Sequence, residues 1–145
     1  MRIFVVYDSV YGNTEKIAKA ISASLAGEVR VVAMSEADPT VLSASDLLIV
    51  GSPTHGGRPT PATQGFLDGI PELAAKGMKA AAFDTRLPGR FAAIFGYAAD
   101  RIAESLKGKG CEIGLPPEAF YVKGKKGPLR EGELERASGW AKRIV

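Results

Sequence analysis

Apolar positions along the chain alternate between short unbroken runs and a rhythm of three to four residues. Ile3 to Tyr7 is a run of β-branched and aromatic side chains, suited to a strand buried on both faces of a parallel sheet. From Glu15 to Leu25 the rhythm is helical, with Ile17, Ile21 and Leu25 on one face. Glu28 to Met34, with Val29, Val31 and Val32, reads as a second strand, and Asp38-Pro39-Thr40 as a turn opening a single helical turn through Leu42. Leu47-Leu48-Ile49-Val50 is continuous and apolar, which predicts a central third strand. It stops at Gly51-Ser52-Pro53-Thr54-His55-Gly56-Gly57-Arg58-Pro59-Thr60-Pro61, eleven residues with three glycines and three prolines, and a long shaped loop is expected there. The short helix that follows uses Pro61 near its first position and turns Ala62, Phe66 and Ile70 inward.

Lys79 to Phe83 gives an alanine-rich fourth strand, narrow enough for helices to pack close on its faces, with Asp84-Thr85-Arg86-Leu87-Pro88-Gly89-Arg90 as the loop at its carboxyl end. A helix is expected from about Phe91 to Lys107, with Phe95, Ala98, Ala99, Ile102 and Leu106 inward and Gly108 as its C-cap. The fifth strand should come in two pieces around Pro116-Pro117, Phe120-Tyr121-Val122 being the better one. Leu134, Ala137, Trp140, Ala141 and Ile144 mark a closing amphipathic helix, and Trp140 keeps step with that stripe as a core anchor. Five strands alternating with helices predict an α/β fold, a doubly wound parallel sheet with right-handed crossovers.

At 145 residues and 46% hydrophobic, the chain suffices for one domain with a full core, residues 1–145, and is too short for two. It holds no stretch apolar and long enough to cross a bilayer and no basic region leading into a hydrophobic signal segment, so a cytoplasmic protein is the expectation. The single cysteine, Cys111, excludes an internal disulfide and a cysteine-based metal cluster, and its place before Ile113 suggests a buried inert thiol. The single histidine lacks companion ligands or an acid at recognisable spacing, which argues against metal catalysis and a Ser-His-Asp mechanism. Net charge is +3; Lys107, Lys109, Lys123, Lys125 and Lys126 are not interleaved with aromatics, so they read as a solvated face and not as a nucleic-acid groove.

The chemistry concentrates where the first strand ends. Ser9, Gly12, Asn13 and Thr14 supply hydroxyls, an amide and one permissive backbone position, and a helix follows at once. A strand, a hydroxyl-rich turn and a helix in succession aim free N–H groups at one point, and the helix dipole makes that point attractive to anions. Neither GxxxxGK[ST] nor a GxGxxG after the first strand is present; Gly108, Gly110 and Gly114 precede an apolar run, the wrong context for a dinucleotide site. Ser9-Val10-Tyr11-Gly12-Asn13-Thr14 resembles the flavodoxin phosphate loop, a Ser/Thr-x-Thr/Tyr-Gly-Asn-Thr pattern that holds the phosphate of FMN without a basic side chain. The resemblance is fair at Gly51-Ser52-Pro53-Thr54 and weaker at Asp84-Thr85-Arg86, and it extends over nearly the whole chain.

That resemblance implies the flavodoxin-like strand order 2-1-3-4-5, with FMN where the loops after strands one, three and four converge. It places Ser9, Tyr11, Gly12, Asn13 and Thr14 at the phosphate and Thr54, His55, Gly56 and Gly57 on the inner side of the ring, with Val10, Ser52 and Pro53 also among the cofactor-binding residues. Asp84, Thr85 and Arg86 would run along the pyrimidine edge. It also implies a one-electron carrier working with a reductase and an acceptor protein. Two departures stand out. Neither ring loop carries an aromatic, the nearest candidates being His55 and Phe91, which predicts weaker flavin binding. A pI near 9.1 and Arg58, Arg86 and Arg90 around the ring contrast with acidic flavodoxins. They predict a less negative potential for the second electron and acidic or apolar partner surfaces. Two other readings stay open: an FMN-dependent NAD(P)H:quinone-type oxidoreductase, and a flavodoxin-like module without cofactor that serves binding or regulation.

Overall fold

The computed structural model describes residues 1–39, 45–89 and 97–144. Strands β1 (Arg2–Tyr7), β2 (Glu28–Ala33), β3 (Leu47–Pro53), β4 (Lys79–Arg86), β5 (Glu112–Ile113) and β6 (Glu118–Tyr121) form one sheet. Its order is β2-β1-β3-β4-β5, with β6 also on β4, and every pairing is parallel. The sequence expectation of a doubly wound 2-1-3-4-5 sheet is met, and the fifth strand is split as its prolines foretold. Helices α1 (Asn13–Ala23), α2 (Pro61–Asp68), α3 (Glu72–Ala75), α4 (Ala98–Gly108) and α5 (Glu133–Ile144) cover the two faces. Among the described residues no helix is long and apolar enough to cross a membrane.

Alternation along the strands builds two cores. On one face Val6, Leu48, Val50 and Ala82 meet Phe66 and Leu67 of α2 and Ile102 and Leu106 of α4. On the other, Val5, Ile49, Ala81 and Phe83 meet Ile17 and Ile21 of α1 and Ala137, Trp140 and Ala141 of α5. Phe83, Phe120 and Trp140 pack edge to face around one another with centroids 6.0–6.1 Å apart, so Trp140 is the core anchor its periodicity indicated. Cys111 is buried beside β5, and burial pushes its thiol pKa up.

Several boundaries and faces differ from the sequence reading. β3 runs on through Pro53 and β4 through Arg86, so Asp84, Thr85 and Arg86 are strand residues and not a loop. α1 begins at Asn13 and ends before Leu25, which still packs on the core. The inward face of α2 is Thr63, Phe66 and Leu67 with Ile70 beyond it, leaving Ala62 exposed; Thr60 caps the helix through its hydroxyl, and Pro61 takes the first position as expected. On α5 Leu134 is exposed and Glu133 is buried in the stripe instead. Gly108 is the last residue of α4, Lys109 is the cap, and the left-handed glycine is Gly110. The short α3 and a 3-10 turn at Met34–Glu36 lacked a sequence signal. Thr40, the helical turn through Leu42, and the start of the fourth-strand helix at Phe91, with Phe95, lie outside the described residues.

Candidate functional site

Parallel pairing brings the carboxyl ends of β1, β3 and β4 level: Tyr7 lies opposite Gly51, Ser52 opposite Asp84 and Pro53 opposite Thr85. There a cavity of about 690 Å³ opens, within the range of about 300–1,000 Å³ usual for small-molecule sites. It is lined by Val10, Tyr11, Asn13, Thr14, Pro53, Thr54, His55, Gly56, Gly57, Thr85 and Arg86, all singled out from sequence, and by Leu87, Val122 and Lys125, which were not. Ser9, Gly12, Ser52 and Asp84, also singled out, are not among the lining residues.

The first wall is the turn into α1. Gly12 is the N-cap, at φ +93°, and has no side chain to close the helix end. The Ser9 hydroxyl accepts from the amides of Gly12 (3.0 Å) and Glu15 (3.4 Å), which folds the loop back on itself. Among the described residues the amides of Val10, Tyr11, Asn13 and Thr14 have no protein acceptor, and these four residues line the cavity. Thr14 Oγ1 lies 2.8 Å from Thr85 Oγ1, joining α1 to the end of β4.

The second wall is a two-residue hairpin. His55 and Arg58 exchange backbone hydrogen bonds of 2.9 and 3.1 Å around Gly56 and Gly57, whose φ angles are +58° and +78°. Left-handed backbone at both central positions suits glycine and gives the turn its tight form. Arg101 Nε donates to the Gly57 carbonyl (3.0 Å), and the Thr54 hydroxyl accepts from the Ala98 amide (3.1 Å), so α4 holds the turn at both ends. Behind it Ser52 Oγ accepts from the Thr60 amide (3.1 Å), and the Thr60 hydroxyl donates to the Asp8 carboxylate. His55 is exposed at the cavity mouth.

The third wall is the end of β4. Asp84 is fully buried and accepts from Arg86 Nε (2.8 Å), Arg86 Nη2 (2.7 Å) and the Ala99 amide (2.9 Å). Burial pushes the Asp84 carboxyl up, against the opposing pull of Arg86 and the amide. Burial also disfavours the Arg86 cation, but the bonds to Asp84 outweigh it and keep the guanidinium charged. The guanidinium carbon sits 3.3 Å from the centre of the Tyr97 ring. Two sequence expectations change accordingly. The charge of Arg86 is met by a buried carboxylate and is not a free cation beside the ligand. An aromatic ring of the first loop, Tyr11, lines the cavity, and Tyr97 backs Arg86. Phe91 and Arg90 lie outside the described residues.

The fourth wall comes from the segment after β6, where Val122 and Lys125 reach the cavity. Lys125, grouped in sequence with a solvated basic face, is therefore a lining residue. A donor set of open amides and neutral hydroxyls, without a carboxylate in the lining, fits a phosphate monoester, and the hairpin and Arg86 line the same cavity.

No curated protein matches the chain. Solved structures do. Flavodoxin 2 from Bacillus cereus is 28% identical, with a TM-score of 0.84 over 99% of this chain and 97% of that one. Flavodoxin 1 from Bacillus cereus is 20% identical, with a TM-score of 0.83 over 100% and 97% of the two chains. The two-electron reduced flavodoxin of Megasphaera elsdenii is 20% identical, with a TM-score of 0.74 over 97% and 98%. The sequence profile of the flavodoxin family matches residues 5–140, and with the strand order and the phosphate-loop geometry it establishes that the chain belongs to the flavodoxin family.

Proposed function

We propose that this flavodoxin holds FMN in the cavity at the carboxyl ends of β1, β3 and β4 and carries single electrons between redox proteins as one domain. The observation that carries this placement is the set of unpartnered amides at Val10, Tyr11, Asn13 and Thr14, four residues that line a cavity where α1 begins. These amides take the phosphate, supported by the Thr14 hydroxyl and the Asn13 side chain, while Ser9 and Gly12 hold the loop in shape. Thr54, His55, Gly56 and Gly57 border one side of the ring, and Thr85, Arg86 and Leu87 the other. FMN, once bound, supplies reversible exchange of one electron at a time.

The protein's part is to bind, orient and shield. Arg101 fixes the carbonyl of Gly57 at the ring-side turn, and Ser52 and Asp84 hold their strands' ends through bonds to the Thr60 and Ala99 amides. Flavodoxins exchange electrons with protein partners. With a pI near 9.1, this one is expected to dock on acidic or apolar surfaces, in the cytoplasm. The test is reconstitution with FMN followed by anaerobic reduction. A yellow 1:1 complex that is bleached by NADPH only when a flavodoxin reductase is added supports the carrier reading. Bleaching by NADPH alone would replace it with an oxidoreductase, and a colourless protein that takes up no FMN would replace it with a cofactor-free module.

A further inference from the structure

The segment from Val122 to Leu129 doubles back on itself. Val122 and Leu129 form an antiparallel bridge, Lys123 N–H donates to the Pro128 carbonyl (2.8 Å), and Gly127 N–H donates to that of Gly124 (2.9 Å). One side is pinned to the sheet, since the Val122 amide donates to the Arg86 carbonyl (3.0 Å). The other is pinned to the phosphate loop, where Asn13 Nδ2 donates to the Lys126 carbonyl (3.2 Å). Contact there is so close that a Cβ on Gly127 would lie 2.6 Å from Asn13 Oδ1. The turn is therefore clasped onto the start of α1, and Lys125, next to the pinned Lys126, lines the cavity at that end.

Of the lysine and arginine side chains that line the cavity, Arg86 and Lys125, only Arg86 has an ion pair among the described residues. Arg86 is neutralised by Asp84, Lys19 by Glu15, and Arg136 by Glu118 and Glu133. Among the described residues Lys125 has no ion pair or hydrogen bond on its ammonium group. Lys123 and Lys126 belong to the same turn but do not line the cavity.

Building on the FMN placement above, we propose that Lys125 is a specificity-determining cation for the ligand's phosphate, which makes the site selective for flavin phosphate over uncharged flavin. A loop of neutral donors supplies directed hydrogen bonds to a dianion but no formal countercharge; an ammonium carried on the clasped turn supplies it. Because Lys125 is exposed and its stem flexible, the gain is that of a partly solvated charge-assisted contact and falls with ionic strength.

The test is equilibrium titration of the apoprotein with FMN and with riboflavin, followed by flavin fluorescence, at low and high salt. Lys125→Gln should weaken FMN about fivefold at low salt and leave riboflavin within about twofold. Lys125→Arg should restore most of the loss, and Lys123→Gln, the same charge change outside the cavity, should stay within about twofold of wild type. The inference is overturned if Lys125→Gln binds FMN as wild type does, or if Lys123→Gln loses as much, which would make the effect one of diffuse charge. Wild-type protein that binds neither flavin removes the FMN placement and this inference together. Wild type that binds FMN normally while Lys125→Gln is unaffected removes this inference alone.

Discussion

Truncating Asp84 to alanine removes the group on which the third wall of the site depends. Three donors converge on that carboxylate at 2.7–2.9 Å, and the Arg86 side chain is only 13% exposed, so water replaces only part of what the freed cation loses. Removing one partner of a buried, hydrogen-bonded ion pair costs about 3–5 kcal/mol, chiefly because the other charge is stranded. The Ala99 amide at the start of α4 is orphaned as well. For a chain of this size that loss should lower the thermal midpoint by about 10 °C or more. Urea denaturation with an unchanged m value is the assay. The reasoning also predicts that Asp84→Leu combined with Arg86→Met costs less than Asp84→Ala alone, because no charge is left behind. A single-variant loss below about 1 kcal/mol, or a double variant at the sum of the singles, would refute it.

Other consequences are open to measurement. Glu133 is buried in α5; burial raises its carboxyl, but Arg136 (2.6 Å) and the Tyr121 amide (2.7 Å) outweigh that and hold its pKa below the ordinary range. The unfolded state thus binds its proton first as pH falls, so this stabilisation is complete above the usual carboxylate pKa and fades below it; Glu133→Gln should flatten the stability profile in that acid window. Gly56→Ala and Gly57→Ala should each cost about 1–2 kcal/mol and weaken FMN binding, read by denaturation and flavin titration, since both positions are left-handed. Gly51→Ala should unfold or severely destabilise the protein in a thermal melt, because its Cβ would fall 2.0 Å from the Phe83 ring carbon. Arg58 is exposed with no carboxylate partner among the described residues, so Arg58→Glu should make the second-electron potential more negative, by about 10–20 mV per unit of charge changed, in spectroelectrochemical titration at low salt.

The sheet was legible because its central strands are unbroken apolar runs, and the phosphate loop because its hydroxyls and glycine sit directly between a strand and a helix. What escaped reading was polar residues inside regular structure. Asp84 and Arg86 look like turn residues, yet at spacing two they share a strand face and satisfy each other there. An Asp-x-Arg pair after an alanine-rich run was the available signal. Ala62 and Leu134 were placed inward because they are apolar, whereas the buried stripes pass through Thr63 and Glu133, each held by hydrogen bonds. Lys125 looked like one more solvated lysine. Long-range contacts bring its turn to the cavity: the bond from Asn13 to the Lys126 carbonyl, across 113 positions, and that from the Val122 amide to the Arg86 carbonyl. Tyr97 likewise meets Arg86 through tertiary packing that local spacing does not encode.

The central claim is that open amides at the start of α1 receive a flavin phosphate. It is tested most directly by following backbone amide resonances while FMN is titrated into nitrogen-15-labelled apoprotein. The account predicts that the amides of Val10, Tyr11, Asn13 and Thr14 shift together at 1:1 saturation, and that riboflavin moves them far less than it moves Gly56 and Gly57. Saturation by FMN with those four amides unmoved, or no saturation at all, would contradict it.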